Sequence, residues 1–246
     1  MSFRFSPKIV TDGLIFYLDA ANKKSYPGSG TYVNSLMGGV TGSVENGVGF
    51  SSNNKGYFEF DGTNDYINLG HGDIFSFGDG SSDSPFSMSA WVVIDQADSF
   101  TIANKFDYPN YKAGEWQFYC ATDSKLYLVL YDESVGSYGA YNYIYTGTLT
   151  SLEGQWLNIV GTYDGRGGAL AYNGLKIYIN GVVQSITTAA YATYVAMHNT
   201  AWDTYINKIG SYYSPGNVAT FQVYNKELST SEILQNYNAL KYRFGL

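Results

Sequence analysis

Short runs in which apolar and polar residues alternate occupy most of this chain, and this period of two is typical of β-strands that bury one face. Clusters of Gly, Asn, Asp and Ser separate the runs and mark turns. The alternation predicts strands over residues 14–18, 57–60, 66–69, 86–94, 100–104, 115–122, 126–131, 156–163, 175–179, 182–185 and 218–224. A chain made almost entirely of short strands and turns indicates an all-β fold.

The stretch LKIYINGVVQ predicts one specific hairpin. In it, Asn180 and Gly181 lie between two alternating runs. Both residue types tolerate the positive φ angles that the central residues of a type I′ turn require. We therefore expect a two-residue turn at this point.

The last part of the chain changes to a helical pattern. Ser229 and Glu232 have the spacing of a capping box, in which each side chain binds the backbone amide of the other residue. An apolar stripe at helical spacing follows, made of Ile233, Leu234, Tyr237 and Leu240. We predict a helix over 229–243 that packs on an edge or a face of the strands.

The composition fits a single large β domain. The 246 residues include 25 Tyr, 14 Phe and 28 Gly, and only 14% are charged. Aromatic residues suit a half-buried pleated surface, while Gly supplies turns. Because no Pro-rich or charged linker interrupts the chain, we predict one domain over 13–246 that includes the helix. An N-terminal arm, residues 1–12, precedes it and is expected to serve for docking.

Charge and apolar content argue against several classes of protein. The formal net charge of −7 opposes nucleic acid binding, which Lys and Arg drive by displacing counterions from phosphate. No run of about 18 apolar residues is present, so we expect no membrane insertion. The start, MSFRFSPKIVTDG, contains no apolar signal segment. The single cysteine, Cys120, lies in a predicted strand, so we expect a buried thiol and no internal disulfide.

Sequence motifs in a fixed order connect the chain with a known family. They are GLIFYLDAANKKSYPGSG, GYFEFDGTNDYI, FSMSAWVVI, EGQWLNIVGTYDG, LKIYINGV, KIGSYYS and FQVYNKELSTSEILQNYNALKYRFG. Through these motifs nearly the whole chain resembles laminin-G-like domains of the concanavalin A-like lectin/glucanase superfamily. The resemblance implies a two-sheet antiparallel jelly-roll sandwich, to which the predicted α-helix is added. Residues 31–39 depart from it, because similar proteins carry a Trp and an Asp-Leu-Ser-Gly stretch near that point.

Three acids in the segment 57–70 raise the question of catalysis. In laminarinase-like members of the superfamily, two Glu flank an Asp in the pattern Glu-x-Asp-x-x-Glu. Retaining hydrolysis needs two carboxyl groups about 5–5.5 Å apart. Here Glu59 and Asp61 match the first two positions, but Asn64 occupies the third. The set of carboxylates is therefore incomplete.

The same segment reads as a strand, a turn and a second strand. Alternation places Phe58 and Phe60 toward a core and Glu59 away from it. Residues 61–64 are rich in types that form turns, and Asp65 begins the next apolar alternation. We favour this structural interpretation and expect no enzymatic activity, with a glycoside hydrolase as the outside alternative.

Calcium is the one cofactor that the acidic residues suggest. Candidate oxygen ligands are Asp61, Asn64 and Asp65 in one loop, and Asp132 and Glu133 in another. These residue types are also common in turns without metal. We therefore expect no cofactor, with calcium as the alternative.

Tyrosines supply a candidate binding surface. The candidate residues are Tyr138, Tyr141, Tyr143 and Tyr145 in one run and the pair Tyr212 and Tyr213 in another. If the first run is extended, Tyr141, Tyr143 and Tyr145 share one face. That face would fill the core, contact a protein or stack on sugar rings, since tyrosine suits all three settings.

The resemblance also suggests a biological setting. The version of the domain with LDAANKKSYPGSG near its start and NYNALKYRFG near its end is similar to domains of tailed-bacteriophage virion proteins. We therefore expect a structural protein of the virion, in head decoration or in the tail, assembled in the host cytoplasm. Its expected partners are other virion proteins, copies of itself and cell-surface glycans. The alternative is a stand-alone carbohydrate-binding module.

Overall fold

Seventeen β-strands and one α-helix make up the main regular structure of the computed structural model, which describes residues 7–107, 113–135 and 139–246. The strands are β1 (Leu14–Asp19), β2 (Tyr32–Asn34), β3 (Thr41–Glu45), β4 (Gly49–Ser51), β5 (Tyr57–Asp61), β6 (Tyr66–Asn68), β7 (Phe86–Ile94), β8 (Thr101–Asp107), β9 (Ala113–Cys120), β10 (Lys125–Asp132), β11 (Ala140–Thr148), β12 (Trp156–Tyr163), β13 (Leu175–Ile179), β14 (Val182–Val183), β15 (Thr187–Tyr191), β16 (Thr204–Ile206) and β17 (Pro215–Tyr224). The helix is α1 (Thr230–Leu240), and a 3₁₀ turn over Lys241–Phe244 follows it.

Two antiparallel sheets contain all of these strands. The eight-stranded sheet has the order β14-β13-β12-β7-β17-β5-β4. Strand β1 also belongs to it, because the long β17 pairs with β5 near its start and with β1 along the rest of the same edge. The nine-stranded sheet has the order β15-β11-β10-β9-β8-β16-β6-β3-β2. This arrangement confirms the predicted all-β sandwich with one C-terminal helix.

The main core lies between the two sheets. In β7 alternate residues Met88, Ala90 and Val92 point into this core, because side chains alternate between the faces of a strand. Trp91 points to the other face and belongs to a separate apolar cluster. All nine residues of β7 are buried, because the core between the sheets covers one face and the cluster around Trp91 covers the other.

Helix α1 and the chain after it form a third layer on the outer face of the eight-stranded sheet. The ring of Phe244 stacks on Trp91, with 4.3 Å between the ring centroids, and also packs on Trp156 at 4.5 Å. Tyr237 stacks on the same Trp91 ring at 5.7 Å. The expected packing of the helix on the sandwich is therefore confirmed, and it uses a face of the sheet.

The helix differs from the prediction at its end and at one side chain. The predicted range 229–243 is too long, since α1 ends at Leu240 and the 3₁₀ turn Lys241–Phe244 tightens the chain after it. Both bonds of the capping box between Ser229 and Glu232 are present, so α1 begins where the sequence predicts. Ile233 is fully buried, but Leu234, expected in the same apolar stripe, is 46% exposed. Consecutive helical residues point about 100° apart, so Leu234 lies beside the contact face and not within it.

The N-terminal residues that the structure describes also lie against this layer. The backbone amide of Val10 donates to Asn236 Oδ1 at 2.7 Å, and the Tyr224 hydroxyl donates to the Val10 carbonyl at 3.1 Å. Asn236 in turn donates to the Tyr224 hydroxyl at 3.0 Å. The division into an arm, residues 1–12, and a domain, residues 13–246, stays a prediction.

Other local expectations can be compared directly with the structure. Asn180 and Gly181 have φ angles of 52° and 79° between β13 and β14, which confirms the two-residue hairpin. Cys120 is 1% exposed, which confirms the buried thiol, and burial raises its pKa. Among the described residues, no helix has the length and the apolar sequence that crossing a bilayer requires.

Candidate binding face

The outer surface of the nine-stranded sheet carries tyrosines from four neighbouring strands. In the register of the sheet, Tyr127 of β10 lies opposite Tyr145 of β11 on one side and Tyr119 of β9 on the other. Tyr141 of β11 lies opposite Tyr191 of β15. We call this patch the tyrosine face, and its members are Tyr119, Tyr127, Tyr131, Tyr141, Tyr143, Tyr145 and Tyr191.

Alternation along β11 decides which way its side chains point. Tyr141, Tyr143 and Tyr145 are half-buried, whereas the intervening Asn142 and Ile144 are fully buried on the inner side. The neighbouring β10 repeats the pattern with buried inner residues Leu126, Leu128 and Leu130. The three tyrosines of β11 therefore lie outside the core. Of the three expected settings, contact with a protein and stacking on sugar rings remain.

The tyrosine rings pack on one another across the strands. Tyr127 is stacked with Tyr145, with 5.0 Å between ring centroids and 23° between planes. Tyr119 stacks on the other side of Tyr127 at 5.7 Å, and Tyr141 stacks with Tyr191 at 5.1 Å. Offset stacking is a favourable arrangement for aromatic rings. The rings therefore support one another's orientations across the strands.

A groove of about 560 Å³ runs between these rings. Its walls are the members of the tyrosine face except Tyr145, together with Phe106 and Ala121. Val129 forms part of the lining, since it is shorter than the tyrosines before and after it on the same side of β10. A groove of this size lies within the range of small-ligand sites, which are largely apolar and contain a few polar groups.

A second pocket of about 310 Å³ continues the groove. It shares Phe106, Tyr119, Ala121 and Tyr131 with the groove and extends past them to Tyr212. The polar wall here is ordered, because the Tyr131 hydroxyl donates to Gln117 Oε1 at 2.8 Å. The two pockets therefore form one continuous depression on the sheet.

The phenol groups of Tyr119, Tyr127 and Tyr131 stay protonated at neutral pH. Burial raises the pKa of Tyr119 to about 12, and it raises the pKa of Tyr131 well above its ordinary value. The pKa of Tyr127 is raised by burial and by the hydrogen bond that its hydroxyl donates to Asp123 at 2.9 Å. Each hydroxyl is therefore a neutral group that can donate or accept a hydrogen bond.

The acids of the segment 57–70 lie away from this face and stabilise a turn. Asp61 Oδ1 accepts from the amide of Thr63 at 2.7 Å, and Asp65 Oδ2 accepts from the amide of Asp61 at 3.2 Å. Glu59 points outward from β5, as the alternation predicts. The strand, turn and strand are confirmed, and the second strand begins at Tyr66, the first residue of the predicted range 66–69, and ends at Asn68. Asp65 is buried, and desolvation raises its pKa.

The candidate calcium ligands Asp132 and Asn64 also accept hydrogen bonds from other residues of the chain. Asp132 Oδ1 accepts from the amide and the hydroxyl of Ser134, and its Oδ2 accepts from the amide of Val195 at 3.0 Å. The backbone carbonyl of Asn64 accepts from the Asn46 side chain at 3.0 Å. In the described ranges, no three His, Cys, Asp or Glu side chains, Glu133 included, come together as a metal-binding group.

Comparison with known proteins identifies the family of this chain. The model of the concanavalin A-like lectin/glucanases superfamily matches residues 61–234. The chain belongs to this superfamily. No curated protein is similar enough in sequence to match the chain.

Solved structures resemble this superfamily member in fold. The binding domain of paraclostridial mosquitocidal protein 1 has a TM-score of 0.66 and 16% identity, covering 92% of this chain and 52% of that one. The botulinum neurotoxin serotype D domain in complex with N-acetylneuraminic acid has a TM-score of 0.63 and 17% identity, covering 92% and 50%. Trypanosoma rangeli sialidase in complex with 2,3-difluorosialic acid has a TM-score of 0.60 and 14% identity, covering 96% and 34%.

These likenesses concern the sandwich as a whole. At such identities they show the fold alone, and the chain spans only about half the length of the toxin domains. The binding surface of this lectin-like superfamily member has to be argued from its own residues.

The structure separates the predicted binding residues of this concanavalin A-like domain into groups. Tyr141, Tyr143 and Tyr145 come together on the tyrosine face, and Tyr212 lines the adjoining pocket. Tyr213 does not join them, since its ring packs on Tyr66 at 6.0 Å. Tyr138 lies outside the described residues.

Four members of the tyrosine face were absent from the sequence-based set. They are Tyr119, Tyr127, Tyr131 and Tyr191. The signal for two of them was present in the alternating run LYLVLY of β10, whose tyrosines share a face in any strand. The register that sets Tyr127 opposite Tyr145 comes from the pairing of β10 with β11, which the pattern within one strand does not contain.

Proposed function

We propose that this domain binds carbohydrate through the tyrosine face and does so as a structural protein of a tailed-phage particle. The observation that carries the binding proposal is the preformed groove walled by stacked tyrosines. Tyrosine offers a large flat apolar surface together with a polar hydroxyl, and it loses little conformational entropy on binding. Sugars present the complementary combination of apolar ring faces and hydroxyl groups.

The related folds add circumstantial support. The serotype D botulinum neurotoxin domain was crystallised with N-acetylneuraminic acid, and the sialidase with a difluorinated sialic acid. Two sandwiches of similar shape thus belong to proteins that contact sugars. The proposal for this chain rests on its own groove, which fits the same class of ligand.

Alanine at Tyr143 is expected to weaken glycan binding. The ring lines the groove and contacts Tyr127 and Tyr141, so its removal takes away a binding surface and loosens its neighbours. We expect Kd for the best ligand of a glycan array to rise about tenfold, which corresponds to about 1.4 kcal/mol. Isothermal titration calorimetry measures the change.

A matched control lies on the opposite side of the sandwich. Tyr242 is 71% exposed and follows α1, so Tyr242→Ala removes a tyrosine without touching the face. Its Kd should equal that of the unchanged protein. Equal weakening by both substitutions, or none by Tyr143→Ala, would show that the tyrosine face is not the binding surface.

The particle setting is supported by the two stretches similar to virion proteins. The first contains Asp19 and the second contains Arg243, whose Nη1 donates to Asp19 Oδ1 at 2.8 Å. Arg243 also donates to the backbone carbonyls of Asn54 and Gly56. The two stretches therefore form one connected unit in the fold, which makes their joint presence more informative than two separate similarities.

Mass spectrometry of purified particles tests this setting. We propose that the chain occurs there in many copies, with other virion proteins and copies of itself as neighbours, after assembly in the host cytoplasm. If purified particles lack the chain while the recombinant protein binds glycans, the stand-alone carbohydrate-binding module is the correct function.

We propose that the domain has no catalytic activity. The supporting observation is that Asp61 and Asp65 are held in a turn by backbone amides, with Asn64 at the position of the third carboxylate. Glu59→Gln is therefore expected to leave the release of reducing sugar from a polysaccharide panel at the level of the unchanged protein. A substantial activity that disappears in Glu59→Gln would establish a glycoside hydrolase instead.

A further inference from the structure

We infer that the tyrosine groove takes an extended, uncharged glycan of several sugar units and discriminates against sialylated and other acidic glycans. This inference rests on the proposed carbohydrate binding and adds the class of ligand. Three features of the groove carry it: its length across the sheet, the charges along its lining, and the hydroxyl groups that it leaves unpaired.

The length of the depression calls for more than one sugar. It begins at Tyr191 on β15 and passes β11, β10 and β9 to Phe106 on β8, and the second pocket carries it on to Tyr212. Neighbouring strands lie about 4.8 Å apart, so the four steps from β15 to β8 span about 19 Å. A single sugar ring occupies only part of such a length, whereas a linear oligosaccharide lying across the strands fills it.

The lining residues that the structure describes provide no positive charge. Among the described lining residues of the groove and of the second pocket, Asp98 is the one side chain that is charged at neutral pH. Burial holds Cys120 in its neutral form, since it raises the pKa of the thiol. A carboxylate or sulfate on the ligand would lose water there without gaining a cationic partner, which is costly.

The described lysine that contacts the tyrosine face is already paired. Lys125 Nζ lies 4.8 Å from the centre of the Tyr145 ring, outside the groove lining, and forms an ion pair with Asp123 Oδ2 at 3.0 Å. Its charge is therefore balanced by its own neighbour. The net charge of −7 on the whole chain adds a long-range repulsion of anions.

Neutral hydrogen-bonding groups are available in the same place. Within the described part of the chain, the hydroxyls of Tyr119, Tyr141 and Tyr143 form no hydrogen bond, although all three residues line the groove. Each can donate to or accept from a sugar hydroxyl, and the raised pKa of Tyr119 keeps its proton in place. The groove thus matches neutral sugars in both its apolar walls and its polar groups.

The ligand expected here differs from the one bound by a protein of related fold. N-acetylneuraminic acid, present in the serotype D botulinum neurotoxin complex, carries a carboxylate. A shared sandwich therefore does not imply a shared sugar. The charges on the lining, and not the fold, distinguish the two classes of glycan.

The experiment is a glycan array probed with the full chain, followed by calorimetry. The array contains neutral hexasaccharides, among them cellohexaose, maltohexaose and xylohexaose, and acidic probes, among them sialyllactose and hexagalacturonate. The neutral hexasaccharide that binds best is then compared with its own trisaccharide and monosaccharide. We expect Kd to fall at least tenfold from monosaccharide to hexasaccharide and acidic probes to bind at least tenfold more weakly. Kd for the hexasaccharide should change less than twofold between 0.05 and 0.5 M NaCl, because no ion pair is involved.

A designed gain of charge supplies a second readout. Thr122 is exposed and lines the second pocket, so Thr122→Arg places a cation at the groove without removing a tyrosine. Binding of hexagalacturonate should improve at least fivefold in this variant, while neutral binding is retained.

The outcomes separate the inference from the proposed function. If acidic glycans bind as tightly as neutral ones and Tyr143→Ala abolishes both, the face binds carbohydrate but the inferred class is wrong. If a monosaccharide binds as tightly as the hexasaccharide, the inferred length is wrong. If no probe binds, or if Tyr143→Ala leaves Kd unchanged, the proposed function itself is wrong, and the inference is then wrong as well.

Discussion

Replacing Lys105 with methionine is expected to lower the free energy of unfolding by about 3–5 kcal/mol at pH 7. Lys105 Nζ lies 2.8 Å from Glu115 Oε1, and neither side chain is exposed to solvent. Oε1 also accepts from the amide and the hydroxyl of Thr200, while Oε2 has no partner in the described residues. Methionine fills similar space but leaves the Glu115 carboxylate buried without its cation.

The double variant Lys105→Met/Glu115→Gln is the control for this prediction. It removes both charges, keeps the hydrogen-bonding shape of residue 115 and should recover most of the lost stability, since the penalty comes from an unpaired charge. Urea unfolding followed by fluorescence measures all variants. A loss below about 1 kcal/mol in Lys105→Met, or no recovery in the double variant, would mean that the pair does not act as described.

The cost of Lys105→Met should also depend on pH. Desolvation raises the pKa of Glu115, and Lys105 opposes that rise. Because the pKa of Glu115 is higher in the folded than in the unfolded protein, its contribution to stability is complete below the unfolded pKa. That contribution is lost as the pH increases through the folded pKa. Without Lys105 the folded pKa rises further. The variant should therefore be closest to the unchanged protein near pH 4.5 and furthest from it near pH 7.

Replacing Trp91 with alanine is expected to lower the free energy of unfolding by about 3–5 kcal/mol. The indole is 1% exposed and lies between the eight-stranded sheet and the C-terminal layer. Its removal leaves a cavity against Phe244 and Tyr237, which both stack on it. Thermal and urea unfolding of the purified variant measure the loss.

A double-mutant cycle with Phe244→Ala tests whether the stack itself contributes. The two rings are in contact, so the losses in the double variant should fall short of the sum by about 0.5–1.5 kcal/mol. Trp202→Ala, at a tryptophan that is 38% exposed, should cost much less. Strict additivity of Trp91→Ala and Phe244→Ala would contradict the described packing.

The strands whose bounds were predicted correctly have a long apolar pattern in their own sequence. The bounds of β7 and β12 agree residue for residue with the prediction, because long apolar alternation and flanking turn residues define both ends. The short strands β2, β3, β4, β15 and β16 were not predicted. Strand β15 reads TTAAY and is largely exposed, so its extended conformation depends on pairing with β11.

The candidate site was predictable only within single strands. Alternation placed Tyr141, Tyr143 and Tyr145 on one face, and the structure agrees. Joining them with Tyr127 and Tyr119 requires the register between the consecutive strands β9, β10 and β11, which the pattern within one strand does not contain. The sequence did not predict the pairing of Lys105 with Glu115 either. The two residues lie on neighbouring strands whose register is irregular at this point. Charged residues are also usually exposed, so a buried pair is not the expected arrangement.

The first described residues and helix α1 lie together on the side of the sandwich opposite the groove. Gln235 Nε2 donates to the carbonyl of Lys8 at 2.8 Å, which ties the described N-terminal residues to α1. A support that contacts this side of the sandwich would leave every groove directed away from it. Many copies on one support could then engage a glycan-coated surface at once, so avidity would turn weak single contacts into firm attachment.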